Sequence, residues 1–236
     1  MTKYALVTGA NKGIGYEVVR QLAERGYDVF LGARNEELGQ KAVDSLRGSN
    51  VTFVQLDITD SQSIQESVRT IEGITNHLDL LINNAGIALD FNIQPSEVKV
   101  EMLRDIFDVN FFGTFQMMQA YLPLLKKAEG SKMVNVTTDM ASQTMFDNGD
   151  VHPLNILGYN SSKTAVNSLT LSFSKELGSE GPEVMGVTPG FTSTDLNGNA
   201  PGGKTTDQGA EVIVKYALSE TNYHGKILNN DGIIPW

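Results

Sequence analysis

The sequence predicts one doubly wound α/β domain, in which a parallel sheet carries helices on both faces. β-type apolar runs alternate with helical patterns, a glycine-rich turn follows the first run, and no linker interrupts the 236 residues. Alternating strands and helices imply a parallel sheet with right-handed crossovers. The length suits one large α/β domain better than two small ones, so residues 1–236 are predicted to form a single domain.

The first half of the chain contains four strand patterns and three helix patterns. Strands are predicted at 4–8, 29–31, 51–56 and 78–82, and helices at 14–24, 35–46 and 60 to about 74. The fourth strand has an unbroken apolar character, which is typical of burial on both faces. Asn35 and Asp60 are predicted N-caps, because their side-chain oxygens can accept from free N–H groups of a first helical turn.

The second half continues the alternation with longer helices. Helices are predicted at about 96–107, 111–127, 160–177 and 206–219, and strands at 132–137, 183–188 and near 226–228. The Gly- and Pro-rich stretch 197–203 indicates a mobile loop rather than a domain boundary.

Composition and charge disfavour several classes of function. The net charge of −10 disfavours nucleic acid or an anionic membrane as partner, because both require a basic face. The chain has no cysteine, and His77, His152 and His224 show no ligand spacing, so no metal site is predicted. No apolar run reaches the ~18 residues needed to span a bilayer, and the start does not resemble a signal peptide, which predicts a cytoplasmic protein.

Residues 9–15, between the first strand and the first helix, have the spacing G-x-x-x-G-x-G. Glycines permit a tight turn and the close approach of a pyrophosphate, which the unpaired N–H groups of a helix N-terminus attract. We therefore predict a dinucleotide-binding turn, and a tight turn without a ligand is the alternative. The predicted contact residues are Gly9, Asn11, Lys12, Gly13, Ile14 and Gly15.

The end of the second strand predicts which dinucleotide binds. An NAD site usually places an acidic side chain there, roughly 20 residues beyond the glycines, to bind the ribose hydroxyls. This strand ends instead at Arg34, whose guanidinium suits the oxygens of a 2′-phosphate. Arg34 and Lys12 together favour NADP over NAD, although each cation could simply be solvated.

Tyr159 and Lys163 are four residues apart at the start of a predicted helix, so they lie on one helical face. Tyrosine, with a pKa of about 10, is a poor acid–base group at neutral pH, and a nearby cation lowers that pKa. A Tyr–Lys pair at this spacing often arises by chance, so its significance depends on the other motifs.

Five motifs, in order and at familiar separations, resemble those of the short-chain dehydrogenase/reductase family: residues 8–15 (TGANKGIG), 83–86 (NNAG), Asn110, 159–163 (YNSSK) and 189–190 (PG). The resemblance covers nearly the whole chain, and its opening, the GARN after the second strand and its last two residues are most similar to the carbonyl reductase branch. It implies a Rossmann-type dinucleotide-binding and catalytic domain that reduces an aldehyde or ketone with NADPH. An NADP-dependent alcohol dehydrogenase working in the oxidative direction and a non-catalytic NADP-sensing protein are the alternatives.

The resemblance implies a role for each matching residue. Tyr159 would protonate the carbonyl oxygen of a small-molecule substrate as hydride arrives, and Lys163 would lower the pKa of Tyr159 and hold the nicotinamide ribose. Asn110 would anchor a water that leads protons to Lys163. The cofactor would also contact residues that follow the third, fourth and sixth strands: Asp57, Ile58, Asn84, Ala85, Gly86, Pro189, Gly190, Thr192 and Thr194.

Thr138 departs from the family pattern, which usually has a serine at this strand end. Its hydroxyl can still donate to a substrate oxygen, although its methyl group restricts χ1 and crowds the pocket. Ser142 is the alternative donor if the loop bends back, and Thr138 could also be only a β-forming residue.

Two loops complete the prediction. The interval 139–158 is longer than in the family's simplest members and partly apolar, so we expect it to wall the substrate pocket and obstruct the helix pairing that forms tetramers. Residues 191–204 are predicted to close over a substrate as a lid, with ordinary loop flexibility as the alternative. The sequence leaves monomer, dimer and tetramer open, so a homo-oligomer remains one of the options.

Overall fold

The computed structural model describes residues 2–46, 48–151 and 154–236, and within these ranges it contains eight strands and eight α-helices. The strands are β1 (Lys3–Thr8), β2 (Tyr27–Ala33), β3 (Val51–Gln55), β4 (Leu80–Asn83), β5 (Lys132–Val136), β6 (Glu183–Val187), β7 (Ile227–Asn229) and β8 (Gly232–Ile233). The helices are α1 (Gly13–Glu24), α2 (Glu36–Ser45), α3 (Ser61–Glu72), α4 (Val100–Phe107), α5 (Thr114–Leu125), α6 (Gln143–Asn148), α7 (Leu157–Leu177) and α8 (Thr206–Ala217).

The strands form one sheet in the order β3-β2-β1-β4-β5-β6-β7-β8. Strand β1 pairs in parallel with both β2 and β4, so the sheet grows in one direction from β1 and then in the other. Doubly wound sheets bind ligands at the carboxyl ends of strands where this order reverses. The ends of β1 and β4, at Thr8 and Asn83, therefore mark the expected site.

Side chains of the sheet alternate between two apolar clusters, one on each face. Ala5 and Val7 belong to a cluster completed by α1, α2 and α8, whereas Leu6 belongs to a cluster completed by α3, α5 and α7. The predicted layering, a sheet with helices on both faces, is confirmed.

Most predicted elements are present, with Asn35 and Asp60 as N-caps: Asn35 Oδ1 accepts from the Leu38 N–H at 2.8 Å, and Asp60 Oδ1 accepts from the Gln62 N–H at 2.9 Å. The helix predicted at 96–107 is wrong at its start. A 3-10 turn at Pro95–Glu97 is followed by extended backbone at Val98 and Lys99, and α4 begins only at Val100.

Three further differences concern short or shifted elements. The sheet was predicted to be parallel, and the structure adds one antiparallel pair, because β8 runs antiparallel to β7. Helix α6 lies inside the interval predicted as a loop, and α7 begins at Leu157, three residues earlier than expected. His152 and residue 153 of that interval lie outside the described residues. Among the described helices, none is long and apolar enough to cross a membrane.

Candidate active site

The glycine turn packs directly on the chain that leaves β4. Gly9 has a φ of +62°, and a Cβ atom there would lie 2.9 Å from the Cα of Ala85. A Cβ atom on Gly15 would overlap the side-chain amide of Asn84. Gly13 also has a φ of +62°, but its Cβ position faces open space. The first and third glycines therefore allow close packing, and the second leaves room above the turn.

Asn84 and Thr8 hold the two turns together. The Asn84 Nδ2 donates to the carbonyl oxygens of Thr8 at 2.9 Å and Gly9 at 3.2 Å. The Thr8 Oγ1 accepts from the backbone N–H groups of Asn84 and Ala85, both at 3.0 Å. These bonds hold together the turns that follow β1 and β4, where a doubly wound sheet is expected to bind its ligand.

The two predicted cations have different environments. Arg34 is exposed after β2, and its guanidinium makes no hydrogen bond or ion pair with any described residue. The Lys12 Nζ donates to Asp195 Oδ2 at 2.9 Å, and this hydrogen bond lowers the pKa of Asp195. Lys12 therefore links the glycine turn to the loop after β6.

Asp57 and Ile58 follow β3, as the sequence indicates. Asp57 Oδ1 accepts from the N–H of Thr59 at 2.9 Å and from its hydroxyl at 2.7 Å. The Asp57 N–H donates to Ser63 Oγ, which orients the segment toward α3. Ile58 is buried against Gly113. Asp57 is thus placed at the carboxyl edge of the sheet.

Asn110 lies fully buried in a π-helical turn, Asp108–Gly113, between α4 and α5. Its Oδ1 accepts from the Ile87 N–H at 2.8 Å, and its Nδ2 donates to the Ile87 carbonyl and to Ser162 Oγ, both at 2.9 Å. Such π-turns are frequent at functional sites. The side chain joins the loop after β4 to α7, and water anchoring by Asn110 stays a prediction.

Tyr159 and Lys163 occupy the first two turns of α7. The Lys163 Nζ donates to the carbonyl oxygen of Val136, at the end of β5, at 2.8 Å. A Cβ atom on Gly86 would lie 3.3 Å from this nitrogen, so Lys163 also faces the loop after β4. Burial lowers the pKa of Lys163 to about 8 and raises the pKa of Tyr159 to about 12.

The direction of the Tyr159 shift is opposite to the one that the resemblance implies. Desolvation disfavours both the phenolate and the ammonium, and no attraction between the two groups offsets it in this geometry. A lowered Tyr159 pKa would require positive charge or donors beyond those that Lys163 supplies here.

The two candidate hydroxyls after β5 have distinct environments. Thr138 is half-buried at the strand end, and its Oγ1 accepts from the Met140 N–H at 3.3 Å, which starts the 3-10 turn Asp139–Ala141. Ser142 is fully buried, and its Oγ accepts from the Met145 N–H at 3.2 Å as the N-cap of α6. Thr138 is thus the less enclosed of the two hydroxyls, and its catalytic role stays a prediction.

Comparison with known proteins identifies the family. Residues 3–204 match the family described as short chain dehydrogenase. The chain belongs to this family. It is therefore an oxidoreductase that interconverts CH–OH and C=O groups.

Individual relatives of this short-chain dehydrogenase match over almost its full length. The short-chain dehydrogenase anuI of Penicillium roqueforti is 32% identical over 243 residues, covering 97% of this chain and 94% of the relative. The NADPH-bound carbonyl reductase from chicken fatty liver is 29% identical, with a TM-score of 0.87 and coverage of 100% of this chain and 99% of that chain. Carbonyl reductase Sniffer of D. melanogaster, at 24% identity, has the same fold with a TM-score of 0.88 and full coverage of both chains.

The segment after β6 is a compact loop in this short-chain dehydrogenase. The Gly190 N–H donates to Thr188 Oγ1 at 3.2 Å, and Thr192 Oγ1 donates to the Gly190 carbonyl at 3.1 Å. Asn197 accepts from the backbone N–H groups of Thr194 and Ala200 and donates to the Thr192 carbonyl. The predicted lid is thus an internally bonded unit, and its motion stays a prediction.

Lys204 closes the base of that loop, and sequence reasoning missed it. Its backbone N–H donates to Phe191 and its carbonyl accepts from Ser193, while its Nζ donates to the Pro189 carbonyl at 3.2 Å. Its position beside the turn of Gly190 depends on backbone pairing with Phe191 and Ser193, which no sequence motif indicates.

Asp139 and Ser162 were also missed. Burial raises the pKa of Asp139, which directly follows Thr138. Ser162 lies within the YNSSK motif, one turn after Tyr159, and this spacing could have indicated a contact with Asn110. No cluster of three or more potential metal ligands occurs among the described residues.

Proposed function

We propose that this short-chain dehydrogenase catalyses the NADPH-dependent reduction of an aldehyde or ketone, with Tyr159 as the general acid. The observation that carries the proposal is the position of Lys163, whose ammonium lies between the end of β5 and the loop after β4, one turn from Tyr159. Thr138 follows two residues after the carbonyl that Lys163 binds. On this proposal, Tyr159 as proton donor, Lys163 as buried cation and Thr138 as hydroxyl act together at the carboxyl edge of the sheet.

The residues at the carboxyl edge of the sheet suit the binding of NADP. Helix α1 has no side-chain cap and no acidic residue in its first turn, so its free N–H groups suit a phosphate. Gly13 leaves space above that turn, and Arg34 is exposed where a 2′-phosphate would lie. The cofactor would be held by Gly9, Asn11, Lys12, Gly13, Ile14, Gly15, Arg34, Asp57, Ile58, Asn84, Ala85, Gly86, Tyr159, Lys163, Pro189, Gly190, Thr192 and Thr194.

NADPH would supply the hydride, and the chain's own residues would supply the proton and orient the carbonyl. Thr138 and Tyr159 would donate hydrogen bonds to the carbonyl oxygen. Because burial raises the Tyr159 pKa to about 12, the phenol stays protonated at neutral pH. A protonated phenol can donate to the carbonyl oxygen, and its phenolate would be the base in the reverse oxidation, so the preference for the reductase over the alcohol dehydrogenase rests on the relatives. The NADPH-bound carbonyl reductase among the relatives supports this choice.

The test follows absorbance of NADPH and, separately, NADH with a carbonyl panel of phenanthrenequinone, isatin, aromatic aldehydes and simple ketones. We expect carbonyl-dependent oxidation that prefers NADPH, and loss of at least about 100-fold in rate for Tyr159→Phe, in the range of general acid catalysis. NADPH affinity of the variant, from fluorescence quenching, should be retained. Tight NADPH binding by the wild-type protein without turnover of any carbonyl would instead support the NADP-sensing alternative.

A further inference from the structure

Asp90 is a fully buried carboxylate in the loop after β4, with 0% of its surface exposed. Its Oδ2 accepts a hydrogen bond of 2.5 Å from the backbone N–H of Gly158, the residue before Tyr159. Its Oδ1 is buried and has no hydrogen-bond partner among the described residues. Removing a carboxylate from water is costly. A buried Asp90 with only this one side-chain hydrogen bond among the described residues therefore requires a structural or functional explanation.

Helix α7 needs an acceptor at this point. The first N–H groups of a helix have no partner within the helix, and its N-cap, Ile156, has no side-chain acceptor. The first turn of α7 also contains no acidic residue. Asp90 supplies both an acceptor and a negative charge at the positive end of the helix, from 68 residues away in the sequence.

Apolar side chains of α4 pack beside this contact. A Cβ atom on Gly158 would lie 3.2 Å from Asp90 Oδ2, 2.7 Å from Ile106 Cδ1 and 2.9 Å from Leu103 Cδ2. The space where a side chain of residue 158 would lie is therefore filled by the Asp90 carboxylate and by the side chains of Ile106 and Leu103. This fit leaves the first turn of α7 little room to shift.

The same short loop contacts the other groups of the site. Gly86 lies against Lys163 and Asn110, and Ile87 exchanges two hydrogen bonds with Asn110. Asp90 adds the third connection, to the turn that carries Tyr159. Residues 86–90 thus join Asn110, Lys163 and the start of α7 to one another.

We infer that Asp90 is a positioning residue for the carbonyl reduction, which sets the place of the Tyr159 hydroxyl by fixing the first turn of α7. It acts through the Gly158 N–H and does not touch the reacting atoms. Because it matters for catalysis only if Tyr159 is the proton donor, the inference rests on the proposed function.

The experiment compares Asp90→Ala, which removes the acceptor, with Asp90→Asn, which keeps an acceptor oxygen but removes the charge. Amide hydrogen exchange of a peptide covering 157–163 should be about tenfold faster in Asp90→Ala and intermediate in Asp90→Asn, since a lost helix cap weakens the first turn. With isatin as the probe, kcat should fall by about tenfold or more in Asp90→Ala and recover partly in Asp90→Asn. The Kd of NADPH should stay within about twofold of the wild-type value.

Asp60→Ala is the control for loss of a helix cap elsewhere, because the Asp60 carboxylate also accepts from an N–H of a first helical turn, that of α3. It should accelerate exchange at the start of α3 and leave kcat and exchange at 157–163 unchanged. Unaltered exchange at 157–163 in Asp90→Ala would overturn the inference. So would a parallel loss of kcat, NADPH affinity and thermal stability, which would make Asp90 an ordinary core residue.

Tyr159→Phe separates the two proposals. If this variant keeps full turnover, the proposed role of Tyr159 fails, and the effect of Asp90 on catalysis fails with it even when exchange at 157–163 responds. If Tyr159→Phe is inactive while Asp90→Ala keeps full kcat, only the inference on Asp90 fails. The hydrogen-exchange measurement requires no turnover, so it tests whether Asp90 fixes the first turn of α7 whatever the role of Tyr159.

Discussion

Lys163 is the residue whose burial has the largest consequence for both stability and chemistry. Its ammonium is charged at neutral pH although only 4% of the residue is exposed, and one backbone carbonyl is its protein acceptor. Burial lowers its pKa from 10.5 to about 8, so the folded protein binds the proton less tightly than the unfolded chain does. The charged form is therefore destabilising at neutral pH, and the wild-type protein gains stability from this group as the pH rises from 8 through 10.5.

Lys163→Met should consequently be inactive but more stable than the wild-type protein at pH 7, by roughly 1 to 3 kcal/mol. This gain should shrink by pH 10, where the wild-type side chain is already neutral in the folded state. Urea unfolding at both pH values measures the difference. A variant less stable at pH 7 would show that the bond to the Val136 carbonyl outweighs the cost of burying the charge.

At the scale of elements, capping distinguishes the helices that the sequence predicts well from those that it does not. Helices α2 and α3 begin directly after Asn35 and Asp60, which are N-caps that the sequence predicts. Helix α7 was predicted three residues short because its acceptor is Asp90, distant in the chain. The glycine turn and the segments 83–86 and 189–190 were predictable because each follows a strand, and Tyr159 and Lys163 because of their helical spacing, whereas Lys204 depends on backbone pairing across a loop.

Helix α6 also bears on the choice of catalytic hydroxyl, because Ser142 is its N-cap and Thr138 is not. Thr138→Ala should lower kcat by about 10- to 100-fold, and Thr138→Ser should keep or raise it, since the hydroxyl remains and the methyl is lost. Ser142→Ala should cost about 1 kcal/mol of stability through the lost cap, with a smaller effect on kcat. Steady-state kinetics and thermal unfolding of the three variants show whether Thr138 or Ser142 supplies the catalytic hydroxyl. The reverse pattern, with Ser142→Ala inactive and Thr138→Ala active, would assign the role to Ser142.

At the scale of the whole molecule, the proposed cofactor site extends from the turn after β1 to the loop after β6, and the ion pair of Lys12 with Asp195 joins these two segments. Both side chains are more than 60% exposed, so the bridge itself adds little stability. Its importance is that Lys12 is also a proposed ligand of the 2′-phosphate. The ammonium is therefore shared between the loop and the cofactor.

Asp195→Asn should free Lys12 and tighten NADPH binding by about two- to fivefold, as expected for an exposed charge pair, with NADH binding unchanged. The effect should disappear when Lys12→Met is the background. Fluorescence titrations of NADPH and NADH into the wild-type protein, the two single variants and the double variant measure the coupling between Lys12 and Asp195. Weaker NADPH binding by Asp195→Asn would mean that the bridge instead holds the loop closed over the bound cofactor.

The described residues of the segments 139–158 and 191–204 contribute nothing to either apolar cluster of the sheet. The apolar packing of the sheet is therefore largely separate in sequence from the two segments that are proposed to contact the substrate, although Ala141, Ile156 and Gly158 within them are themselves buried. A directed-evolution library confined to the exposed positions of these two segments should keep most of its members folded while varying the carbonyl compounds they accept. The same separation would let natural descendants of this chain acquire new substrates without first acquiring extra stability.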